Sequence, residues 1–149
     1  MSEQTYNKSK VVESFSQYFK KLICILNTSI PTNSDMYDTI TNAKHVIFTA
    51  IEREPEMVFE DAWEYIYKFR EEITNNKLDE LFNSIDDENS KLYKCINEAK
   101  DKVGGNNKSM SNIITCMNTV WNNYNEKEKK KLNKLLKYII SEYSKYLLC

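Results

Sequence analysis

Apolar residues recur along this chain at steps of three and four, the spacing that gathers them on one face of an α-helix. Val11, Phe15, Tyr18, Phe19, Leu22, Ile23 and Leu26 make the first such stripe. Its helix should begin near Ser9 and stop before Pro31, because Asn27, Thr28 and Ser29 compete for nearby backbone and proline cannot continue the ladder. A second stripe, Met36, Ile40, Ala43, Ile47, Ala50 and Ile51, predicts a helix over 34–53, with Asn33 or Ser34 accepting the free amides of its first turn. Pro55 suits the first position of a third helix, where its missing N–H has no partner to lose. Glu54 and Glu56 beside it complement the positive end of the helix dipole. The inward set there is Val58, Phe59, Ala62, Ile66, Phe69 and Ile73, flanked by Trp63.

Asn75 and Asn76 break that pattern, and a short helix carrying Leu78, Leu81 and Phe82 follows. Asp86, Asp87 and Ser90 are start signals for the next, whose stripe is Leu92, Cys95, Ile96, Ala99 and Val103. Gly104-Gly105-Asn106-Asn107 reads as a loop, with Gly104 placed to cap a helix in the left-handed region. Ile113, Ile114, Met117, Val120 and Trp121 predict a helix from near Ser109. Asn122, Asn123 and Asn125 then turn the chain. Asn125 followed by Glu128 reads as a variant capping box for a last helix that buries Leu132, Leu135, Leu136, Ile139, Ile140, Tyr143 and Leu147. The expected fold is all-α, one compact bundle of six to seven helices in a single domain over 1–149.

Composition agrees with the pattern. Two glycines and two prolines in 149 residues are too few for the corners of an all-β chain. A chain of this length can bury roughly 70% of its unfolded surface without staples. No apolar run reaches 18 residues, so no membrane span is expected. Cys24, Cys95, Cys116 and Cys149 are widely spaced, with no C-x-x-C pair and no signal peptide, which points to an intracellular, reducing compartment such as host cytoplasm or a virion.

Charge is unevenly spread. From Glu126 to Cys149, seven lysines against three glutamates leave +4, so the whole-chain value of −1 puts −5 on residues 1–125. Lys127, Lys130, Lys131 and Lys134 form a candidate basic face, although a lysine-rich helix face is more often simply solvated. The two arginines, Arg53 and Arg70, lie outside it, so base-specific reading of nucleic acid is disfavoured relative to salt-sensitive attachment.

The residues required for catalysis are sparse. His45 is the one histidine, and any nucleophile would have to converge on it from distant helices. Glu56, Glu60 and Glu64 recur every four residues, as a solvated face beside Lys68 would. Glu98-x-x-Asp101 resembles half of a magnesium motif of all-helical nucleotide pyrophosphatases, without a matching second half. No P-loop, G-x-S-x-G or G-x-G-x-x-G occurs. No catalytic residue, metal site or cofactor is therefore expected. Trp63, Tyr65, Tyr67, Trp121 and Tyr124 exceed what the stripes require and form a candidate interaction surface, since such side chains anchor protein interfaces.

The order of these features resembles that of small all-helical proteins of nucleocytoplasmic large DNA viruses. It is carried by Phe15 to Phe19 ahead of Pro31, by Val58-Phe59 through Tyr67-Lys68-Phe69-Arg70-Glu71-Glu72-Ile73, and by Trp121 before Lys129 to Leu136. Where that family closes its central stretch with an acidic residue and paired phenylalanines, this chain has Asp79-Glu80-Leu81-Phe82, and Lys134 to Tyr138 lacks the family's second tail tryptophan. The resemblance implies a viral origin, a virion or host-facing role and no catalytic residues. Poxvirus-type Bcl-like bundles are similar in size and helix number alone. Together these readings lead to a non-enzymatic protein–protein interaction or assembly protein whose partner is another protein. A lysine-driven nucleic-acid binder is the alternative, and the oligomeric state is left open.

Overall fold

The computed structural model describes residues 7–83, 87–102 and 106–149. Among them the chain forms helices α1 (Lys8–Ser29), α2 (Asp35–Arg53), α3 (Pro55–Ile66), α4 (Arg70–Thr74), α5 (Leu78–Asn83), α6 (Lys91–Asp101), α7 (Asn107–Asn123) and α8 (Glu126–Leu147), and no strand. The expected all-α bundle is present. The sequence predicts six to seven rods, and the third is interrupted by a 3-10 turn at Tyr67–Phe69, which divides it into α3 and α4. At that turn Arg70 donates from its guanidinium to the Tyr67 carbonyl and lies over the Tyr67 ring. Asp86, Val103 and the Gly104-Gly105 cap lie outside the described residues.

Helix ends follow local side-chain chemistry. Asn7, Ser34, Ser90 and Asn125 each accept from a first-turn amide, and Asn125 with Glu128 completes a reciprocal capping box. At the end of α1, the Thr28 and Ser29 hydroxyls donate back to the carbonyls of Cys24 and Ile25, just before Pro31. The α4 rod ends with Asn76 in the left-handed region at φ 58, and Lys77 N–H reaches back to the Glu72 carbonyl. This is a Schellman-type stop in which asparagine takes the place usually held by glycine.

α1 lies at the centre, packed against α2, α3, α7 and α8. Phe15, Phe19, Leu22, Ile23 and Leu26 are accordingly enclosed, and the buried side chains of all eight helices join in one apolar cluster. Lys8 over Tyr146, Tyr18 stacked on Tyr138 and the Ser29–Tyr124 hydroxyl bond show that α1 and α8 run antiparallel. The Phe15 ring meets Phe59 edge-on at 5.0 Å and Tyr143 at 5.2 Å, and Tyr143 donates its hydroxyl to the Phe59 carbonyl at 3.1 Å. α6 packs on α7 and is further tied to the third rod by Lys91–Glu72 and Glu98–Lys68, with Lys102–Glu64 just beyond its end.

The stripes predicted the core closely, with one correction at its edge. Leu147, expected inside, is 59% exposed, because it lies one turn past Tyr143, the last fully enclosed residue of α8. Truncating Phe15 to alanine should cost about 3–5 kcal/mol through the cavity it opens. Tyr143→Phe, which removes one hydroxyl, should cost about 1 kcal/mol. Denaturant midpoints measure both, and equal losses would contradict this assignment of the centre.

Candidate functional site

A cleft of about 520 Å3 opens between α8, the end of α4, α5 and the last turn of α7. Lys129, Lys130, Lys134 and Lys137 line it from α8, with Glu126 at its mouth, and Asn76, Asp79 and Trp121 complete the wall. The spacing of 126, 130, 133 and 137 places these positions on one flank of α8, beside the leucine stripe that enters the core.

Asn133 builds the back of the cleft. It occupies an inward position between Leu132 and Leu135 and is only 7% exposed. Its Nδ2 donates to the Ile73 carbonyl at 3.3 Å and to Asn76 Oδ1 at 2.9 Å, so it fastens the Schellman turn to α8. Those two acceptors fix the amide's orientation and leave Oδ1 buried with no donor. The side wall is a second fastener. Asp79 Oδ1 accepts from the Trp121 indole at 2.7 Å and from Lys129 Nζ at 2.9 Å, and Lys129 also stands over the Trp121 ring. Lys130, Lys134 and Lys137, by contrast, form no ion pair among the described residues.

The basic face predicted from sequence divides here. Lys130 and Lys134 line the cleft, whereas Lys127 and Lys131 are exposed outside it. Lys129, Lys137, Asn133 and Asp79 were not singled out, although a polar residue inside a leucine run was the available signal for Asn133.

The five candidate aromatics do not share a face. Tyr65 is buried and donates its hydroxyl to Asn107 Oδ1, while Trp121 is buried against Phe82 and Asp79. Trp63 and Tyr67 stack on each other and present edges to Tyr143, so they cover the core at a different place. Tyr124 meets Ser29 at the start of α8. Residues flanking a stripe become buried when a helix is packed from two sides, as α3 is by α1 and α2.

Other candidate chemistry is dispersed. His45 is exposed on α2, and Glu56 and Glu60 are exposed on α3. Glu64 pairs with Lys102, Glu98 pairs with Lys68, and Asp101 is exposed. Among the described residues no group of three or more His, Cys, Asp or Glu could hold a metal ion, and no helix is long and apolar enough to cross a membrane. Burial raises the Cys95 thiol and pushes Cys116 up to about 12, so both are protonated at neutral pH. Comparison of the chain with protein-family models, curated proteins and solved structures finds no match.

Two measurements follow from this geometry. Hydrogen bonds from Lys129 first, and from Trp121 second, hold the Asp79 carboxyl below its ordinary value. A depressed folded value means that the contribution is complete above the unfolded value and is lost as pH falls through the folded one. In a Trp63→Phe background, Trp121 emission should therefore show an acid step below pH ~4 that Asp79→Asn removes. A step surviving Asp79→Asn would show that another group senses the ring. Secondly, a thiol reagent should label exposed Cys149 first and reach Cys95 and Cys116 only on unfolding, as mass spectrometry of labelled peptides can follow.

Proposed function

We propose that this chain is a non-enzymatic binding protein that receives an acidic segment of a partner protein in the lysine-lined cleft beside α8. The observation that carries the reading is the cleft itself: three lysine ammonium groups without carboxylate partners around a wall that contains Trp121. Lysine stems and an indole offer apolar contact, while the ammonium heads offer charge at the rim. An extended peptide matches both, since its carboxylates meet the rim and an apolar side chain meets the lysine stems and the indole.

The observations favour a peptide over nucleic acid. The arginines lie outside the cleft, and its one ring, Trp121, is buried and covered by Lys129, so neither a guanidinium fork nor an open stacking face is offered to a base. The resemblance to helical proteins of large DNA viruses adds a virion or host-facing setting to the proposal.

A glutamate-rich peptide carrying one leucine, and a single-stranded oligonucleotide of equal charge, can be titrated separately into the Trp63→Phe protein while Trp121 emission is followed. The peptide should bind and shift the emission, and Lys130→Glu with Lys134→Glu should weaken it about tenfold, the scale of two rim ion pairs lost and replaced by repulsion. Tighter binding of the oligonucleotide would transfer the cleft to nucleic acid. Binding of neither would remove it as a working surface.

A further inference from the structure

The cleft is one of two charged poles that the fold sets along the α1–α8 pair, each mixed with opposite charge: Asp79 and Glu126 stand in the cleft, and Lys20 stands in the groove beside the other. The cleft lies against the first half of α8, at residues 126–137. The opposite pole is the corner between α2 and α3, where Glu52, Glu54 and Glu56 are exposed and form no ion pair among the described residues. Arg53 offsets one of these charges, while Glu60, also exposed, follows one turn along α3. Met57 in the same corner is 39% exposed and supplies an apolar side chain among the carboxylates.

The two poles are held apart by rigid elements. Glu52, Pro55 and Glu56 share a groove with Ser9, Glu13 and Lys20 of α1, and Phe59 packs on Tyr143 and Tyr146, so the corner stands beside the far half of α8. From Asn133 to Tyr146 the helix rises roughly 20 Å. That is about two Debye lengths at 0.1 M salt, too far for the corner and cleft of one molecule to satisfy each other. Between two molecules no such restriction applies.

We propose that the acidic segment received by the cleft is the Glu52–Glu56 corner of a second copy of this chain, so that copies associate head to tail. This rests on the reading of the cleft given above and supplies its occupant. The corner is acidic where the cleft is lined by lysines. Its carboxylates would meet Lys130, Lys134 and Lys137, and Met57 would bring an apolar contact toward the Trp121 edge. Because donor and acceptor surfaces differ, the contact is heterologous and each copy retains one open pole, which extends into a chain or closes into a ring.

Sedimentation of the full chain, in a low-salt and a high-salt buffer of about 50 and 500 mM, tests this. The wild type should exceed its 17.7 kDa mass with rising concentration in the first buffer and return to it in the second. Lys130→Glu with Lys134→Glu removes the cleft, and Glu54→Gln with Glu56→Gln removes the corner without giving it a charge that the reversed cleft could attract. Each variant alone should stay monomeric, yet their mixture should form a 1:1 dimer and stop there, since only one intact cleft and one intact corner remain. A wild type that stays monomeric in low salt, or a mixture that fails to dimerise, overturns the head-to-tail contact. If the glutamate-rich peptide still binds in that event, the cleft keeps its role and only the identity of its occupant falls. Self-association that persists in both variants alone would place it on some other surface and equally overturn the proposal.

Discussion

Three rings from three helices meet at Phe15, Phe59 and Tyr143, and the placement of everything else follows from that meeting. An edge-on contact of Phe15 with Phe59 and a tilted one of each with Tyr143 are specific in angle as well as distance, and such pairs add about 0.5–1.5 kcal/mol beyond the area they bury. The Tyr143 hydroxyl, bonded to the Phe59 carbonyl, also fixes the height of α8 against α3. Burial raises the affinity of that hydroxyl for its proton far above the ordinary phenol range, so the bond keeps its donor at every pH the fold tolerates. With α8 pinned near its far end, its first half is delivered in one register to the end of α4, where Asn133 finds the Ile73 carbonyl and Asn76.

The wall of the cleft shows how stability and function share residues. Asp79 is the hinge of that wall, because one of its oxygens accepts hydrogen bonds from both an indole and an ammonium. Lys129 is thereby spent on structure and stands half-enclosed, whereas Lys130 and Lys134, one and five positions on, are left to solvent. The charge of a helix face is thus a poor guide to the charge it offers. An exposed ion pair contributes little to folding, yet it decides which neighbours remain unneutralised.

Much of the fold was legible in the chain because helix boundaries are local events. Ser34, Ser90 and Asn125 cap with their own side chains, Pro31 and Pro55 act through their missing N–H, and the three-four stripes report the burial of Phe15, Ile47, Phe59 and Ile139 directly. The 3-10 turn at Tyr67–Phe69 was not legible, since its spacing of inward residues is that of an unbroken helix. Tyr65 reads as a surface candidate because one stripe cannot reveal that a second neighbour covers its flank, whereas Trp121 stands in the stripe of its own helix and is buried with it. The cleft was less legible still. It depends on Asp79 meeting Lys129 and Asn76 meeting Asn133, pairs separated by 50 and 57 positions, and no periodicity encodes such distances.

The attachment of α6 carries a consequence of its own. Its buried side, Leu92, Cys95, Ile96 and Ala99, rests on α7, but its outer side is clasped to the third rod through two lysine–glutamate pairs, Lys68–Glu98 in water and Lys91–Glu72 partly covered. Added electrolyte weakens those clasps and leaves the aromatic centre untouched. The molecule is therefore built from two kinds of adhesive, and a brine that strengthens the burial of oily surface loosens this one rod from its outer flank while the rest of the bundle tightens.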